Sequence, residues 1–212
     1  MISVFLTGLI KIQKNVNIKQ IMDLNTIFFI GPQGSGKGTQ AKLLAKKLDF
    51  FYWEMGGILR EIAKDGSELG NQVKGLIEAG ILLEDTLLLE VVKKRLSLIP
   101  LQQGLIFDGI PRRLAQAEFL LGYLNKIGRT NFVTLFIDLP KPESLSRLLK
   151  RAEVEKRADD TKDKIEFRLD QYYKETLPVV DFLKIQTKTF TIDGTPSVEE
   201  VTKEINKQLG IS

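Results

Sequence analysis

Short apolar runs alternate with longer segments of helical periodicity along most of this 212-residue chain. The apolar runs are IFFI at 27–30, FYW at 51–53, LIF at 105–107, NFVTLFIDL at 131–139 and TFTID at 189–193. Short apolar runs of this kind predict β-strands.

Helical segments follow these strands. We predict helices over 36–48 and 114–127, and further helical segments after FYW to about residue 97. One more helix is predicted to start near Pro142 and a last one at Ser197. The sequence SVEE at the last of these starts has the pattern of a capping box. Strands separated by helices imply βαβ units and a mostly parallel sheet.

Two stretches depart from this alternation. Residues 54–83 are polar and rich in helical pattern without a strand-like run, which indicates an insertion outside the sheet. Residues 1–24 differ in pattern from the rest of the chain, and Met22 begins a segment that reads as a complete start of its own. We therefore interpret 1–24 as an N-terminal extension and 25–212 as the folded domain.

Composition narrows the classes of function. The 31 basic and 27 acidic residues give a net charge of +4 and are interleaved, which suits a small anionic ligand better than nucleic acid. There is no cysteine and no histidine, which excludes disulfides, thiolate metal sites and an imidazole base. No apolar run approaches the ~18 residues of a membrane span, and the N-terminus makes a poor signal peptide, so we expect a cytoplasmic protein without a membrane partner.

A glycine-rich segment, GPQGSGKG at 31–38, lies between a predicted strand and a predicted helix. Its spacing of glycine, four residues, glycine and lysine is that of a phosphate-binding loop. Glycines permit positive φ angles, so successive N–H groups turn toward one point, and the positive end of the following helix adds to anion binding. Lys37 is expected to reach the β- and γ-phosphates of a nucleotide. Gly38 follows the lysine where the general pattern has Ser or Thr, and Thr39 comes one place later.

The full loop, GPQGSGKGTQA, closely resembles that of adenylate kinases and related nucleoside monophosphate (NMP) kinases, in which GKGT is a family mark. The resemblance implies an α/β fold of P-loop NTPase type, with a five-stranded parallel sheet and helices on both faces. It also implies Mg²⁺ bound with ATP, an NMP-binding insertion near 54–83, a short lid near 152–162 and a monomer. The loop residues expected to bind ATP are Gly34, Ser35, Gly36, Lys37, Gly38 and Thr39.

A second match is GLIFDGIPRRLAQAE at 104–118, which is similar to the family's DGFPR region. Asp108 ends a predicted strand at the carboxyl edge of the sheet, where a carboxylate can hold a water on Mg²⁺. The resemblance implies that Arg112 binds phosphate, that Gly109 belongs to the NMP site, and that Gln116 hydrogen-bonds the adenine of AMP.

A third match is SRLLKRAEVEKRADD at 146–160, which resembles the lid region of the family. Arg147 and Arg151 are four residues apart on a predicted helix, so they project from one face. Two guanidinium groups aimed at one point suit a phosphoryl group in transfer, whose charge is spread over its oxygens. The resemblance adds Arg157 and Arg168 to the residues that neutralise the phosphoryl group. It assigns Arg157 and Arg168 also to the NMP site, and Arg147 and Arg151 also to the ATP site.

Further matches cover most of the remaining chain. The segment 67–92 resembles the NMP-binding insertion and the helix after it, and IDGTPSVEEV near the C-terminus resembles the segment that packs on the ATP adenine. The resemblance gives Arg60 the phosphate of AMP. The residues that it adds to the nucleotide sites are Ile81, Leu82 and Leu83 for the NMP, and Pro196 for ATP.

The segment YWEMGG at 52–57 departs from the family's His-Ile-Ser-Thr-Gly-Asp. Met55, beside the retained Gly56, stands where a threonine touches AMP, and the loss of one hydrogen bond would weaken binding by about 0.5–1.5 kcal/mol. Gly57 replaces an aspartate near the phosphates and the metal-bound water. Glu54 brings a negative charge close to the expected monophosphate.

The leading prediction is phosphoryl transfer, ATP + AMP ⇌ 2 ADP, with Mg²⁺ held through ATP and water rather than by direct protein ligands. A kinase for UMP, CMP or GMP is one alternative, which Gln116 argues against and Met55 leaves open. A nucleotide-binding protein that has lost catalysis is another, motivated by Gly57. The residues predicted to be catalytic are Lys37, Asp108, Arg112, Arg147, Arg151, Arg157 and Arg168.

Overall fold

The computed structural model describes residues 24–79, 81, 83–155 and 161–211. The predicted N-terminal extension therefore lies outside the described residues except for Leu24. Residues 156–160 of the predicted lid also lie outside them, as do Leu82 and Arg157.

Five parallel strands form one sheet in the order β2-β3-β1-β4-β5. This confirms the predicted five-stranded parallel sheet. Each strand agrees with an apolar run of the sequence to within a residue or two at its ends. The strands are β1 (Thr26–Ile30), β2 (Phe51–Glu54), β3 (Leu105–Asp108), β4 (Phe132–Asp138) and β5 (Lys188–Asp193).

Helices connect these strands. The capping box predicted at Ser197 is present, because its hydroxyl accepts from the backbone N–H of Glu200 while the Glu200 carboxylate accepts from the backbone N–H of Ser197. A π-helical turn, Tyr172–Thr176, joins two of the helices. In the described part of the chain the helices are α1 (Lys37–Leu48), α2 (Met55–Ile62), α3 (Glu68–Ala79), α4 (Asp85–Leu96), α5 (Leu114–Lys126), α6 (Lys141–Glu155), α7 (Lys162–Gln171), α8 (Leu177–Gln186) and α9 (Val198–Leu209).

The central strand β1 is buried on both faces, as its uninterrupted apolar sequence requires. Phe28 and Ile30 pack into a cluster with α4, α5 and α8, whereas Ile27 and Phe29 pack on the opposite face with α1 and α9. The sheet is therefore covered by helices on both faces, as predicted. Its parallel strands bring the chain segments that follow β1, β2 and β3 to a common edge.

The stretch after β2 contains helices α2 and α3, and no strand lies among its described residues up to 83. The strand β2 itself runs to Glu54, the first residue of the predicted insertion. Within the described ranges, no helix is long and apolar enough to cross a membrane.

Candidate active site

The glycine-rich segment forms the turn between β1 and α1. Gly34 and Gly36 have φ angles of 84° and 81°, a left-handed conformation that costs other residues free energy. Gly36 is also the N-cap of α1, so the turn leads directly into the N-terminus of that helix. The first N–H groups of α1 have no partner within the helix, which makes this turn suited to phosphate oxygens.

Lys37 is the first residue of α1, and its side chain lies in the cleft at the carboxyl edge of the sheet. Its Nζ donates a hydrogen bond to the carbonyl of Pro32 at 3.2 Å. The pKa of Lys37 is lowered to about 8, mainly by burial and also by the charges of Arg112, Arg151 and Arg168, while the charge of Asp108 opposes this shift. An anion beside Nζ would raise this pKa and favour the ammonium form, so a negatively charged ligand suits this position.

Asp108 ends β3 and is only 8% exposed. Its Oδ2 accepts a hydrogen bond of 2.9 Å from the hydroxyl of Tyr52, while its buried Oδ1 has no hydrogen-bond partner. Burial and the neighbouring carboxylate raise the pKa of Tyr52, so this hydroxyl stays a donor. A Cβ at position 38 would lie 3.1 Å from Oδ2, so a side chain there would require the Asp108 carboxylate to shift.

The unpartnered Oδ1 makes Asp108 suitable for the metal that the family implies. A buried carboxylate oxygen without a partner is costly unless a ligand or water meets it. Among the described residues, no group of three or more acidic, His or Cys side chains could hold a metal ion. Mg²⁺ takes oxygen ligands and keeps several waters, so the buried carboxylate of Asp108 fits the metal that the resemblance implies.

Basic side chains surround this carboxylate. The cleft has a volume of about 750 Å³, and the charged residues that line it among the described ones comprise seven cations and two carboxylates. This excess of positive charge suits a ligand with several phosphates. The cations are Lys37, Lys42, Arg60, Arg112, Arg147, Arg151 and Arg168, and the carboxylates are Glu54 and Asp108.

Arg112 lies in the loop after β3, and its Nε donates to the carbonyl of Gly109 at 2.9 Å. The φ angle of 84° at Gly109 folds the loop back so that this contact can form. Burial lowers the pKa of Arg112, although Asp108 opposes that effect. The guanidinium is thus held at the base of the cleft by a backbone carbonyl.

Arg147 and Arg151 both line the cleft from α6, in keeping with their spacing of four residues. Arg147 is anchored in a way that the sequence did not indicate. Its Nε donates to Glu143 at 2.7 Å, and its two terminal nitrogens donate to the carbonyls of Gly194 and Thr195 at 2.8 and 2.9 Å. Arg147 therefore fixes the turn between β5 and α9 while its planar group borders the cleft.

Gln116, on α5, is buried at 1% exposure and lines the same cleft. Its Oε1 accepts from the backbone N–H of Arg112 at 2.8 Å, and its Nε2 donates to Asp85 at 2.7 Å. A primary amide has two donors and two acceptor positions, so one of each remains to address a ligand. The side chain is oriented by protein contacts before any ligand binds.

The acceptor side predicted from the sequence also lies in this cleft. Met55 is 2% exposed, and its sulfur accepts a hydrogen bond from the indole N–H of Trp53 at 3.4 Å. Arg60 Nη2 lies 2.6 Å from Glu54 Oε1, and Lys42 Nζ lies 3.7 Å from Glu54 Oε2. The guanidinium of Arg60 is thus paired with a carboxylate of its own chain.

Among the described residues, most of those predicted from the sequence line the cleft, and two do not. Ser35 is a buried residue of the loop, and Pro196 is exposed outside the cleft. Sequence reasoning missed Tyr52 and Lys42. The only signal for Tyr52 was its position near the end of a strand, and that for Lys42 was its position on the helix after the loop. The remaining predicted residues that line the cleft are Gly34, Gly36, Gly38, Thr39, Gly56, Ile81, Leu83 and Gly109.

Comparison with known proteins agrees with this geometry. A family model described as adenylate kinase matches residues 29–189. The adenylate kinase of Thermus thermophilus is 37% identical over 185 residues, which are 87% of this chain and 97% of that protein. Those of a Cyanothece species (39% over 179 residues, 84% of this chain and 92% of the relative) and Phocaeicola vulgatus (37% over 182 residues, 86% and 96%) are similar over nearly their full lengths. The chain belongs to the adenylate kinase family and is a phosphotransferase of that type.

Proposed function

We propose that this chain transfers the γ-phosphoryl group of Mg·ATP to AMP, giving two molecules of ADP. The observation that carries the proposal is the meeting of two sets of residues in one cleft. The phosphate loop with Lys37 and Asp108 lines the same cleft as the predicted acceptor residues Arg60 and Gln116. Two phosphorylated ligands bound there would have their reacting groups adjacent, and holding reactants together supplies much of the acceleration of a two-substrate reaction.

On the ATP side, the N–H groups of the loop and the start of α1 would bind phosphate oxygens. Lys37 would bind the β- and γ-phosphates, and its ammonium form would be favoured by their charge. Mg²⁺ would neutralise charge on the β- and γ-phosphates, and Asp108 would hold its water through the buried Oδ1. Arg147, with three donor nitrogens already bound to Glu143 and the β5–α9 turn, would offer the face of its guanidinium to the adenine ring.

The centre of the cleft would stabilise the phosphoryl group during transfer. Arg112, Arg151 and Arg168 line this region together with Lys37. Charge in a transferring phosphoryl group spreads over its oxygens, so fixed guanidinium donors stabilise the transition state without a general base. A chain that has no histidine can perform this reaction. Arg157 is proposed to join this set, although it lies outside the described residues.

On the acceptor side, Arg60 and Arg112 would bind the monophosphate. The remaining N–H donor and acceptor position of Gln116 can pair with the Watson–Crick edge of adenine, which presents a ring nitrogen acceptor and an amino donor. Ile81 and Leu83 would cover the ribose and base. Preference for AMP thus rests on the fixed orientation of the Gln116 amide.

Another monophosphate is a second candidate acceptor, because Met55 offers no hydroxyl at the acceptor side. Its buried, unbranched side chain fits ligands of different shape. We also propose an NMP-binding insertion near 54–83 and a short lid near 152–162. The enzyme is further proposed to be a monomer and to act in the cytoplasm.

The test is formation of ADP from Mg·ATP with AMP, UMP, CMP and GMP supplied separately. Lys37→Ala serves as the control for a contaminating host kinase. Lys37-dependent turnover with AMP, and much slower turnover with the others, is the expected result. Binding of ATP without turnover on any acceptor would overturn the proposal.

A further inference from the structure

Glu54 places a carboxylate on the acceptor side of the cleft, where the mechanism above has no use for one. Its Oε1 lies 2.6 Å from Arg60 Nη2, and its Oε2 lies 3.7 Å from Lys42 Nζ. All three side chains line the cleft. The pair remains open to solvent, since 35% of the Glu54 side chain and 44% of the Arg60 side chain are exposed.

Glu54 lies where strand β2 ends and helix α2 begins. Glu54 is the last residue of β2 and is in register with Asp108, so both acidic side chains lie at the carboxyl edge of the sheet. Glu54 is also the N-cap of α2, yet its side chain makes no capping hydrogen bond. The carboxylate instead contacts Arg60, which is six residues further along the chain.

Two glycines at the start of α2 lie against this ion pair. A Cβ at position 57 would lie 3.4 Å from Glu54 Cδ, and a Cβ at position 56 would lie 3.1 Å from Arg60 Nη1. A side chain at position 56 would therefore press on the guanidinium, whereas one at position 57 would make ordinary van der Waals contact with the carboxylate. In the sequence EMGGILR an acid and a base six residues apart thus pair beside the two glycines of the first turn of α2.

We infer that Glu54 sets the affinity of the enzyme for its acceptor by competing with the acceptor phosphate for Arg60. The inference rests on the proposed function, because it takes Arg60 as a ligand of the monophosphate. Carboxylate and phosphate oxygens both pair with the planar guanidinium through the same N–H donors. An incoming phosphate must therefore displace or share the Glu54 contact, and it meets the repulsion of a fixed negative charge.

The primary variant is Glu54→Gln, which keeps the size of the side chain and removes its charge. We expect the KM for AMP to fall by about two- to tenfold, the range set by exposed ion pairs and a like-charge contact. The KM for ATP and kcat are expected to change by less than this. The ratio of the two KM values for AMP should narrow toward one in 1 M salt, because screening weakens the competing pair.

Glu61→Gln is the matched control. Glu61 lies on the same helix and pairs with Arg95 at 3.0 Å, but it does not line the cleft. The same change in net charge there should leave the KM for AMP unaltered. An equal fall in both variants would mean that overall charge, and not competition for Arg60, is responsible.

Direct binding separates failure of this inference from failure of the proposed function. The Kd values of AMP and of inorganic phosphate are measured by calorimetry for the unaltered chain and for Glu54→Gln, whether or not turnover occurs. Tighter binding in the variant supports competition even if no acceptor is phosphorylated. A KM and Kd that stay the same or rise in Glu54→Gln, with Tm retained, would overturn the inference while leaving AMP turnover, where present, as evidence for the function.

Discussion

Replacement of Tyr52 by phenylalanine isolates one hydrogen bond at the proposed metal edge of the cleft. Tyr52 donates to Asp108 Oδ2 at 2.9 Å, and Asp108 is 8% exposed with no partner for its other oxygen. Phenylalanine keeps the ring, including its contact with Lys42, whose Nζ lies 5.6 Å from the ring centre. The variant therefore removes the hydroxyl and little else.

The expected loss follows from the charge and burial of the acceptor. A hydrogen bond to a charged group contributes about 1.5–3 kcal/mol to stability, compared with about 0.5–1.5 kcal/mol for a neutral pair. We therefore expect Tyr52→Phe to lower the free energy of unfolding by about 1.5–3 kcal/mol at pH 7. The same carboxylate is proposed to orient the metal-bound water, so kcat should fall by about three- to tenfold, the equivalent of ~0.6–1.4 kcal/mol.

Urea denaturation of a double-mutant cycle measures this contact. Asp108→Asn removes the charge of the acceptor, so the cost of Tyr52→Phe should shrink in that background to about 0.5–1.5 kcal/mol, the value for a neutral pair. If Tyr52→Phe costs the same in both backgrounds, the hydroxyl does not stabilise the carboxylate and the reasoning is refuted.

Three further predictions concern the loop lysine, the ATP side and the acceptor side. Because the pKa of Lys37 is lowered to about 8, about half of the Lys37 side chains are neutral at pH 8, and the phosphates of bound ATP should raise that pKa. Binding of ATP at pH 8 should therefore take up protons. Calorimetry in buffers of different ionisation enthalpy should detect this uptake, and it should be absent in Lys37→Met. Arg147→Ala should raise the KM for ATP and leave the KM for AMP unchanged, because Arg147 binds the carbonyls of Gly194 and Thr195 in the turn on the proposed ATP side. Steady-state kinetics with each substrate varied would test this. A rise in both KM values would contradict the prediction. Met55→Thr should lower the free energy of unfolding by about 1–3 kcal/mol through loss of a buried side chain. The new hydroxyl should bind AMP and lower the KM for AMP by about three- to tenfold. An unchanged KM would show that position 55 does not contact the acceptor.

The order of strands and helices could be predicted from the sequence because it depends on local periodicity. Five short apolar runs and the helical segments between them specify βαβ units without reference to distant residues. The phosphate loop was equally predictable, since its glycines, Lys37 and the helix after it are contiguous in the chain. Asp108 was found for a similar reason, because it ends a buried strand at the edge where parallel strands end, whereas Arg112 was found through the resemblance of DGIPR to the family's DGFPR.

The partners of these side chains were decided by the tertiary structure. The Tyr52–Asp108 bond depends on the register of β2 against β3, and the contact of Gln116 with Asp85 joins helices α5 and α4. Arg147 binds carbonyls 47 and 48 residues away, a contact that no local pattern encodes.

The sequence by itself determined which elements form and where a phosphate-binding turn lies, because short-range spacing controls periodicity and backbone conformation. Only the tertiary structure decided that Tyr52 of β2 meets Asp108 of β3, and that Pro196 remains outside the cleft. Such contacts arise when elements distant in the chain pack against each other and fix the direction of each side chain. Their geometry therefore follows from the packed core rather than from any single stretch of residues.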